Sequence, residues 1–367
     1  MYMPKQKRSM KIVQIIPQLA SGGAERFVVD LANELSLQHD IVLVVSFAFT
    51  EQNAFYLPEV SDRVKVCSLN KKLGFDSAYL YRLYKIIKKE RPDTVHTHVE
   101  SFAHFALLKW LFPKVKFVHT VHSDAQFEAG GKLKTFLKKV FFRKGWCKAA
   151  TISKKSDLSF KEFYGSKTES TLIYNGRSLN VEWSDNELIP RTDGCCNLVS
   201  IAHISPVKNH LLLCSAVDQL TKKGAPIELY MFGRFVDKDI VGGIKFLNNP
   251  HIHLMGEVEN PRQYLKNADV FCMSSVIEGM PISLIEALSC GLTPICTAVG
   301  GIVDIVEDGE NGFLSQDMTV ESYVKAIERY LSLPESQKAE MKQQSIKSAQ
   351  KYSIEECAKQ YEVLFAE

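Results

Sequence analysis

The sequence lacks any long apolar segment. Hydrophobic residues make up 46% of its 367 residues, yet no run approaches the roughly 18 to 20 apolar residues that a membrane-spanning helix needs. The first apolar run, residues 12–20, is interrupted by Gln14, Pro17 and Gln18, so we interpret it as a strand and not as a signal peptide. We therefore expect a cytoplasmic protein that is soluble or bound peripherally to the inner face of a membrane.

Cysteine pairs and metal-binding spacings are also lacking. The nine cysteines are odd in number, scattered and without a CxxC pair, which is typical of buried thiols in a reducing cytoplasm. Asp237-Lys238-Asp239 has the DxD spacing of some metal sites, but it lies where a helix should begin, so we interpret it as a helix cap. No other cluster of His, Cys or Asp has the spacing of a ligand set. We expect neither a metal nor another cofactor.

A chain of this length exceeds what one core usually fills, which predicts two domains of roughly 150 to 200 residues. The formal charge is +3 overall, but residues 1–180 contain 29 basic and 16 acidic residues (+13), whereas residues 181–367 contain 16 and 26 (−10). The basic half is expected to meet an anionic partner or surface, unless it is simply a solvated basic domain. No recognition motif accompanies the charge, so nucleic acid is not expected.

Short apolar runs alternate with helical patterns along the whole chain. This alternation predicts an α/β fold with two Rossmann-like, doubly wound parallel sheets. The two domains are expected to span 1–180 and 197–350, with a linker from Arg177 to Cys196. A final helix at 351–367 is expected to pack back on the first domain. The predicted strands are residues 11–17, 41–47, 64–69, 94–98, 116–120, 149–153 and 171–174, then 197–203, 227–232, 251–255, 269–274 and 293–297.

The most informative stretch runs from the apolar segment 268–274 to Gly291. It predicts a buried strand, a tight loop with Glu278, and a helix that begins at Pro281 and contains Glu286. The amides of Gly279 and Met280 at the helix start favour an anion such as a phosphate. Glu286 lies in an otherwise apolar helix, where a carboxylate needs a partner, and sugar hydroxyls are suitable ones.

Polar residues also follow the predicted strands of the first half. Gly22 and Gly23 come after the first strand and would let the backbone approach a ligand closely. Histidines follow or end two other strands, and ligands of doubly wound sheets bind at these carboxyl ends. These histidines are His96, His98, His119 and His122, of which His122 is the best candidate for a direct role and the others are as well explained as structural residues.

These residues resemble those of the retaining glycosyltransferases of the GT-B fold, glycosyltransferase family 4, over almost the whole chain. The strongest element is the pair Glu278 and Glu286, with its Glu-Gly-x-Pro loop and Glu-Ala-x-x-x-Gly helix end. Weaker matches accompany it: Gly22-Gly23-Ala24-Glu25, His122, Tyr174-Asn175-Gly176, Lys208, Gly256-Glu257-Val258, Gly300-Gly301 and Asp308-Gly309-x-x-Gly312.

The resemblance implies a nucleotide-sugar donor in an interdomain cleft, held mainly by the C-terminal domain, with the acceptor on the N-terminal domain. Glu286 would bind the ribose hydroxyls and Glu278 would lie by the donor sugar, while Lys208 would neutralise the diphosphate as its charge grows. The resemblance also implies that His122 faces the donor sugar and that Gly22 and Gly23 approach the diphosphate. The backbone at Gly279, Met280 and Pro281 would hold the sugar or phosphate, and the Val258 backbone would meet the base.

The chain departs from the family pattern at three positions, of which Asn209 in place of the usual Gly is the mildest change. His203 stands where the family usually has Arg, five residues before Lys208, and a neutral imidazole supplies neither permanent charge nor a bidentate fork. Three interpretations stay open: His203 acts protonated, another cation such as Arg234 substitutes, or the enzyme is slow or uses a different donor. Arg177 follows Asn175-Gly176 in place of the usual hydrophobic-Asp pair.

Residues 131–148 form a basic amphipathic pattern with seven basic residues, no acid and apolar Phe136, Phe141, Phe142 and Trp146. Such a segment suits an anionic membrane surface. The alternative is a helix whose apolar side packs on the domain core with its lysines outward.

Taken together, the residues and the resemblance predict a retaining hexosyltransferase that moves a sugar from a nucleotide donor, UDP-linked by expectation, to a lipid-linked or cell-surface glycan. Attack would occur on the face of the leaving diphosphate, because no enzymic nucleophile is evident. Two alternatives stay open: a nucleotide-sugar hydrolase or epimerase of the same fold, and a catalytically weak scaffold partner of another transferase.

Overall fold

The computed structural model describes residues 8–74, 76–99, 102–128, 130–181, 183 and 188–367, with the side chains of 102–106 and 133 not described. The chain divides into two compact units. The first comprises Met1–Gly176 together with Ile354–Glu367, and the second comprises Arg177–Ser353.

The first unit contains a seven-stranded parallel sheet in the order β3-β2-β1-β4-β5-β6-β7. Its strands are β1 Lys11–Ile16, β2 Asp40–Val45, β3 Lys65–Ser68, β4 Thr94–His98, β5 Lys116–Val121, β6 Lys148–Thr151 and β7 Ser170–Leu172. The connecting helices are α1 Gly23–Leu35, α2 Ser77–Glu90, α3 Phe102–Leu111, α4 Ala125–Glu128, α5 Lys132–Arg143 and α6 Lys154–Tyr164.

The second unit contains a six-stranded parallel sheet in the order β10-β9-β8-β11-β12-β13. Its strands are β8 Cys196–Ile201, β9 Ile227–Phe232, β10 Ile252–Gly256, β11 Val270–Met273, β12 Thr293–Thr297 and β13 Phe313–Ser315. Its helices are α7 His210–Lys222, α8 Lys238–Phe246, α9 Ile282–Ser289, α10 Ile302–Ile305, α11 Val320–Leu331 and α12 Glu335–Ala349, and α13 Ile354–Ala366 follows in the first unit. Strand β13, Phe313–Ser315, was not predicted from the sequence, because only its first two residues are apolar.

The central strands are apolar on both faces because helices cover both sides of a parallel sheet. In β1 every residue after Lys11 is buried, including the polar Gln14. Helix α1 buries Phe27, Val28, Leu31 and Leu35, which are the residues that helical periodicity places on one side. The alternation of the sequence therefore corresponds to two doubly wound α/β sheets, as predicted.

The final helix packs on the first unit through polar as well as apolar contacts. The Thr120 hydroxyl lies 2.9 Å from the Tyr361 hydroxyl, and the Lys116 ammonium donates to the Phe365 carbonyl at 2.9 Å. Tyr361 and Phe365 are completely buried. A helix at the end of the sequence is therefore part of the first core, although more than 170 residues of the second unit precede it in the chain.

The boundary between the units falls at Gly176, earlier than the linker expected at 177–196. Arg262, which is buried, donates to the carbonyl groups of Ser178 at 2.7 Å and Leu179 at 3.0 Å. These contacts attach the first residues of the presumed linker to the second unit. Local sequence could not show this, because Arg262 is more than 80 residues away along the chain.

Candidate active site

Glu278 and Lys208 form an ion pair at the carboxyl edge of the second sheet. The Lys208 ammonium lies 2.6 Å from Glu278 Oε1, and the Ser275 hydroxyl donates to the same oxygen at 2.6 Å. Lys208 ends a short 3-10 turn after β8, and Glu278 lies in the loop after β11. Because β8 and β11 are neighbours in the sheet, the fold brings together two predicted site residues that are 70 positions apart.

The two loops are also joined through their backbones. The Ser274 hydroxyl donates to the carbonyl groups of Lys208 and Asn209, at 3.1 and 3.0 Å, and the Val276 amide donates to the Val207 carbonyl at 2.8 Å. Asn209 adopts a left-handed conformation with φ +48°, which Asn tolerates better than most residues. These contacts fix the conformation of the loop that carries Lys208.

Gly300 and Gly301 complete this arrangement from the loop after β12. Gly300 has φ +56°, and a Cβ at this position would overlap the Glu278 carbonyl oxygen. The Gly301 amide donates to the Gly279 carbonyl at 2.7 Å. At position 300 only glycine allows the two loops to approach this closely, so Gly300 helps to determine where Glu278 lies.

Helix α9 begins one residue later than predicted. Pro281 is its N-cap, with φ −74° and ψ 119°, and Ile282 is the first helical residue. No side chain caps this helix start, and Met280 beside it is buried. The shift is physically ordinary, because proline favours the extended conformation of an N-cap as well as the first turn.

Glu286 has a protein partner that sequence reasoning missed. Arg177 Nε lies 2.6 Å from Glu286 Oε1, and both side chains are at most one-tenth exposed. Sugar hydroxyls were the expected partners of this carboxylate, and the structure adds an arginine. The available signal was the unusual Arg177 after Asn175-Gly176, together with the general need of a buried carboxylate for a cation.

Arg262 is linked to Glu286 through the Ser289 hydroxyl. It donates to the Ser289 hydroxyl at 2.9 Å, and that hydroxyl donates to the Glu286 carbonyl at 2.7 Å. Burial lowers the pKa of Arg262, and the neighbouring Glu286 carboxylate acts in the opposite direction. Two arginines thus surround the second glutamate of the predicted site.

His203, Arg234 and Val258 follow the carboxyl ends of three adjacent strands. His203 comes after β8, and the amide of the next residue, Ile204, donates to the Arg234 carbonyl at 2.9 Å. The fold therefore places Arg234 beside His203, and its side chain is exposed. Val258 is half-buried two residues beyond β10.

Asp237 is a helix cap, as predicted. Its carboxylate accepts hydrogen bonds from the amides of Asp239 and Ile240, both at 3.0 Å. Within the described residues, no group of three or more His, Cys, Asp or Glu side chains has an arrangement that could hold a metal.

In the first unit, His98 and His122 lie together at the carboxyl ends of β4 and β5. His98 Nδ1 is 3.0 Å from His122 Nε2, so one ring donates and the other accepts. The Phe27 ring packs edge-on against both imidazoles. Burial lowers the pKa of His122 to about 4, with the charge of Glu128 acting in the opposite direction. His122 is therefore a neutral hydrogen-bonding group near pH 7.

His96 and His119 are internal structural residues. His96 Nε2 is 2.7 Å from the Thr120 hydroxyl, and His119 Nδ1 is 2.7 Å from the Thr97 hydroxyl. Both side chains are fully buried, and burial lowers the pKa of each. Their bonding to neighbouring strands accounts for them without a ligand.

Gly22 is the N-cap of α1, which begins at Gly23. The Glu25 carboxylate occupies the position that a Cβ of residue 22 would take, and burial raises the pKa of Glu25. Glu25 is thus a further acid at this loop, in addition to the residues predicted from the sequence.

The basic amphipathic segment is only partly a surface helix. Phe141 and Phe142 are buried and Lys138 donates inward to the Glu128 carbonyl at 2.7 Å, so much of the apolar side packs on the core. Phe136 nevertheless remains 63% exposed. Helix α3, which contacts α5, adds the exposed side chains of Leu107, Trp110 and Leu111.

We give the name α3–α5 face to these four apolar side chains together with the exposed basic residues of α5 and of its C-cap, Lys144. Its exposed basic residues are Lys132, Lys134, Arg143 and Lys144.

None of the helices in the described part of the chain has the length and the apolar composition that crossing a bilayer requires.

Comparisons with known proteins agree with this architecture. The family model for Glycosyltransferase Family 4 matches residues 21–180, and that for Glycosyl transferases group 1 matches residues 195–351. The solved structure of Anabaena HepE in complex with UDP-glucose superposes with a TM-score of 0.80 at 18% identity, covering 98% of this chain and 100% of HepE.

Two curated relatives are transferases of lipid-linked glycans. The chain is 26% identical over 319 residues to the GalNAc-alpha-(1->4)-GalNAc-alpha-(1->3)-diNAcBac-PP-undecaprenol alpha-1,4-N-acetyl-D-galactosaminyltransferase of Campylobacter jejuni, with 83% of this chain and 84% of the relative covered. It is 24% identical over 295 residues to the UDP-Gal:alpha-D-GlcNAc-diphosphoundecaprenol alpha-1,3-galactosyltransferase of Escherichia coli, with 75% and 74% covered.

Proposed function

The chain belongs to glycosyltransferase family 4 and is a hexosyltransferase-type enzyme of the GT-B fold, and from this we propose that it moves a hexose from a UDP-linked donor to a lipid-linked glycan with retention of configuration. The observation that carries the proposal is the Lys208–Glu278 ion pair, 2.6 Å long, in the loop that leads into the helix containing the buried Glu286. A cation and two carboxylates at one strand edge suit a ligand that combines phosphates with hydroxyls.

We assign Lys208 to the diphosphate. Cleavage of the donor's glycosidic bond increases the negative charge on the leaving nucleoside diphosphate, and a fixed ammonium stabilises that charge selectively in the transition state. Glu278 and the Ser274 contacts hold Lys208 in place before the donor binds. Because the Lys208 ammonium is already oriented, it needs little reorganisation during the reaction.

Glu278 and Glu286 are assigned to hydroxyl groups of the donor. Glu286, oriented by Arg177, accepts from the ribose hydroxyls, and Glu278 accepts from the sugar near its reacting carbon. The amides of Gly279 and Met280 support the sugar or phosphate end, and the Val258 backbone meets the base. His203 and the neighbouring Arg234 supply further donors to the diphosphate.

In the first unit, His122 and the Gly22-Gly23 loop are assigned to the donor sugar and diphosphate, and the acceptor to the surrounding surface. A neutral His122 acts through a hydrogen bond and not through charge. Retention would follow from attack of the acceptor hydroxyl on the face that the diphosphate leaves. The hydroxyl proton passes to a phosphate oxygen of the leaving group, so no enzymic nucleophile and no metal is required.

The choice of donor and acceptor is supported by the two relatives. Both act on sugars linked to undecaprenol through a diphosphate, and the Escherichia coli relative takes its galactose from UDP. All nine cysteines of this chain are free thiols, which fits a reducing cytoplasm, where nucleotide sugars are available. We therefore favour a UDP-hexose or UDP-N-acetylhexosamine and an undecaprenyl-diphosphate-linked saccharide.

The proposal is tested by incubating the purified protein with UDP-hexoses and UDP-N-acetylhexosamines, with and without lipid-diphosphate-linked mono- and disaccharides. We expect sugar transfer only with an acceptor, and an α-linked product by proton NMR of the anomeric signal. Sugar release without an acceptor would favour a hydrolase, isomerised donor an epimerase, and a β-linked product would contradict retention.

We also propose that the α3–α5 face binds an anionic membrane, where a lipid-linked acceptor resides. Exposed Trp110 and Phe136 provide apolar insertion, and the lysines provide attraction to anionic lipid. Liposome co-sedimentation should depend on anionic lipid and fall with salt, and Trp110→Ser with Phe136→Ser should weaken it. Phe246→Ser, at a 90% exposed site in the second unit, is the matched control. Equal partition to neutral vesicles, or none to any, would contradict this part.

A further inference from the structure

A cavity of about 700 Å³ lies in the first unit, away from every residue assigned to sugar transfer. The cavity is lined by residues at the amino-terminal ends of β1, β4 and β5, and by residues in the last turns of α2 and α13. The assigned residues Gly22 and His122 follow β1 and β5, and so lie at the opposite, carboxyl ends of these strands. Strands of five or six residues separate the two edges by about 17 to 20 Å, so the cavity is a separate place. Its volume is within the range of small-molecule sites, about 300 to 1,000 Å³.

The body of the cavity is apolar. Its apolar lining consists of Met10, Ile87, Phe112, Val115 and Phe365. His39 and Glu362 also line it, and the Met10 amide donates to His39 Nδ1 at 3.2 Å. Neutral His39 therefore carries its proton on Nε2, which lies 3.2 Å from Glu362 Oε1 and donates to it. This buried carboxylate therefore has a hydrogen-bond donor within the cavity lining.

The charge of the cavity lining is strongly positive. It contains five cations, Arg8, Lys88, Arg91, Lys114 and Lys116, and only two carboxylates, Asp93 and Glu362. Asp93 accepts from the Lys11 amide at 2.8 Å and faces Arg8 at 3.7 Å, and Lys116 binds the carbonyl groups that end α13. Within the described part of the chain, Lys88, Arg91 and Lys114 have no ion-pair partner in this lining.

Arg91 is also in an unusual backbone conformation. It is the C-cap of α2 with φ +49° and ψ 55°, in the left-handed region where glycine is usual. A side chain there is disfavoured by its own Cβ. Arg91, Lys88 and Lys114 are exposed to solvent at the edge of the apolar cavity, and the Lys88 ammonium also lies 5.5 Å from the centre of the Tyr84 ring. Arg91 and Lys114 are therefore available to an anionic head group whose chain enters the cavity.

We propose that this cavity binds a single-chain anionic amphiphile, with the apolar chain against Ile87, Phe112 and Phe365 and a carboxylate or phosphate at Lys88, Arg91 and Lys114. An inorganic anion would leave the apolar walls without contacts, and a neutral apolar molecule would leave three cations unpaired. The head group and the chain are both needed to match the lining. This site is independent of the proposed transfer reaction.

Calorimetric titration of the full chain tests the site, with dodecanoate below its micelle concentration as the probe. We expect saturable binding of dodecanoate, weaker binding of decanoate by about fifteenfold for its two missing methylene groups, and much weaker binding of dodecanol and inorganic phosphate. Equal binding of dodecanol would overturn the role of the cations. Equal binding of phosphate would overturn the role of the apolar walls.

Arg91→Gly is the informative variant, because glycine suits the left-handed C-cap and should preserve the fold. It should weaken dodecanoate binding by about tenfold or more, whereas Lys89→Gln on the exposed side of the same helix should not. Ala366→Trp, at an exposed lining residue, should block binding by filling the cavity. Undiminished binding in both Arg91→Gly and Ala366→Trp, or no binding to the parent chain, refutes the proposal.

The amphiphile could come from solution or from a bilayer, and a second measurement distinguishes the sources. If phosphatidylglycerol vesicles lower dodecanoate binding to the parent chain, and Ala366→Trp weakens co-sedimentation with those vesicles, the ligand is a membrane lipid chain. If the vesicles leave dodecanoate binding unchanged, the ligand is a soluble amphiphile. Vesicle binding that Ala366→Trp leaves intact would show that lipid binds elsewhere, and the assignment of lipid to this cavity would be wrong.

Discussion

Replacing Arg177 by Gln tests whether the buried Arg177–Glu286 pair serves nucleotide binding or only stability. Arg177 Nε and Glu286 Oε1 are 2.6 Å apart, and both side chains are nine-tenths buried. Removing one partner of such a pair leaves an uncompensated buried charge, which costs about 3 to 5 kcal/mol of stability. We expect the transition of the second unit in urea to move to a lower concentration, whereas Arg177→Met with Glu286→Leu should recover much of the loss.

The effect on nucleotide affinity is worked from the hydrogen bonds that Glu286 is proposed to accept from ribose. A hydrogen bond to a charged group contributes about 1.5 to 3 kcal/mol, which corresponds to a factor of about 10 to 150 in the Kd of UDP. Glu286→Gln should weaken UDP by this factor. Arg177→Gln should weaken it too, because the carboxylate loses the group that orients it.

The assay is calorimetric titration with UDP and with 2′-deoxy-UDP. The parent chain should prefer UDP, and Glu286→Gln should bind the two nucleotides almost equally, since the preference depends on the ribose hydroxyl. A stability loss in Arg177→Gln with unchanged UDP affinity in both variants would refute the nucleotide role and leave a structural ion pair. Tighter UDP binding by Arg177→Gln would show that the arginine competes with ribose.

Three further predictions concern the loops and the histidines. Lys208→Ala should lower kcat by about 10² to 10³ with a smaller change in KM, because the diphosphate charge grows in the transition state; an equal rise in KM alone would contradict this. Gly300→Ala should lower both thermal stability and UDP affinity by displacing Glu278, whereas Gly224→Ala, with a similar positive φ but open space around it, should leave UDP affinity unchanged. Burial lowers the pKa of both His98 and His122, so these histidines bind protons more readily in the unfolded chain. The free energy of unfolding of the first unit should therefore fall as pH drops from about 6.5 towards 4. Urea unfolding followed by Trp fluorescence should show this slope, and a His98→Gln, His122→Gln chain should show less of it; an unchanged slope would show that other groups cause the acid sensitivity.

The α/β class and most strands could be predicted from the sequence. Buried parallel strands are covered on both faces, so they are continuous apolar runs such as β1 and β11, and these are visible without a structure. The loop with Glu278 and the helix with Glu286 could likewise be placed, because proline and glycine mark the ends of that helix. What the sequence determined by itself was therefore local: periodicity, turn chemistry and the residue types at strand ends.

Only the tertiary structure decided which distant residues meet. Arg177 and Glu286 are 109 positions apart and Lys208 and Glu278 are 70 apart, and neither pairing follows from any local pattern. The same holds for α13 packing on the first unit and for Phe141 and Phe142 turning inward while Phe136 faces outward. Side-chain partners depend on the order of strands in the sheet and on the path of each loop, and these are set by packing of the whole chain.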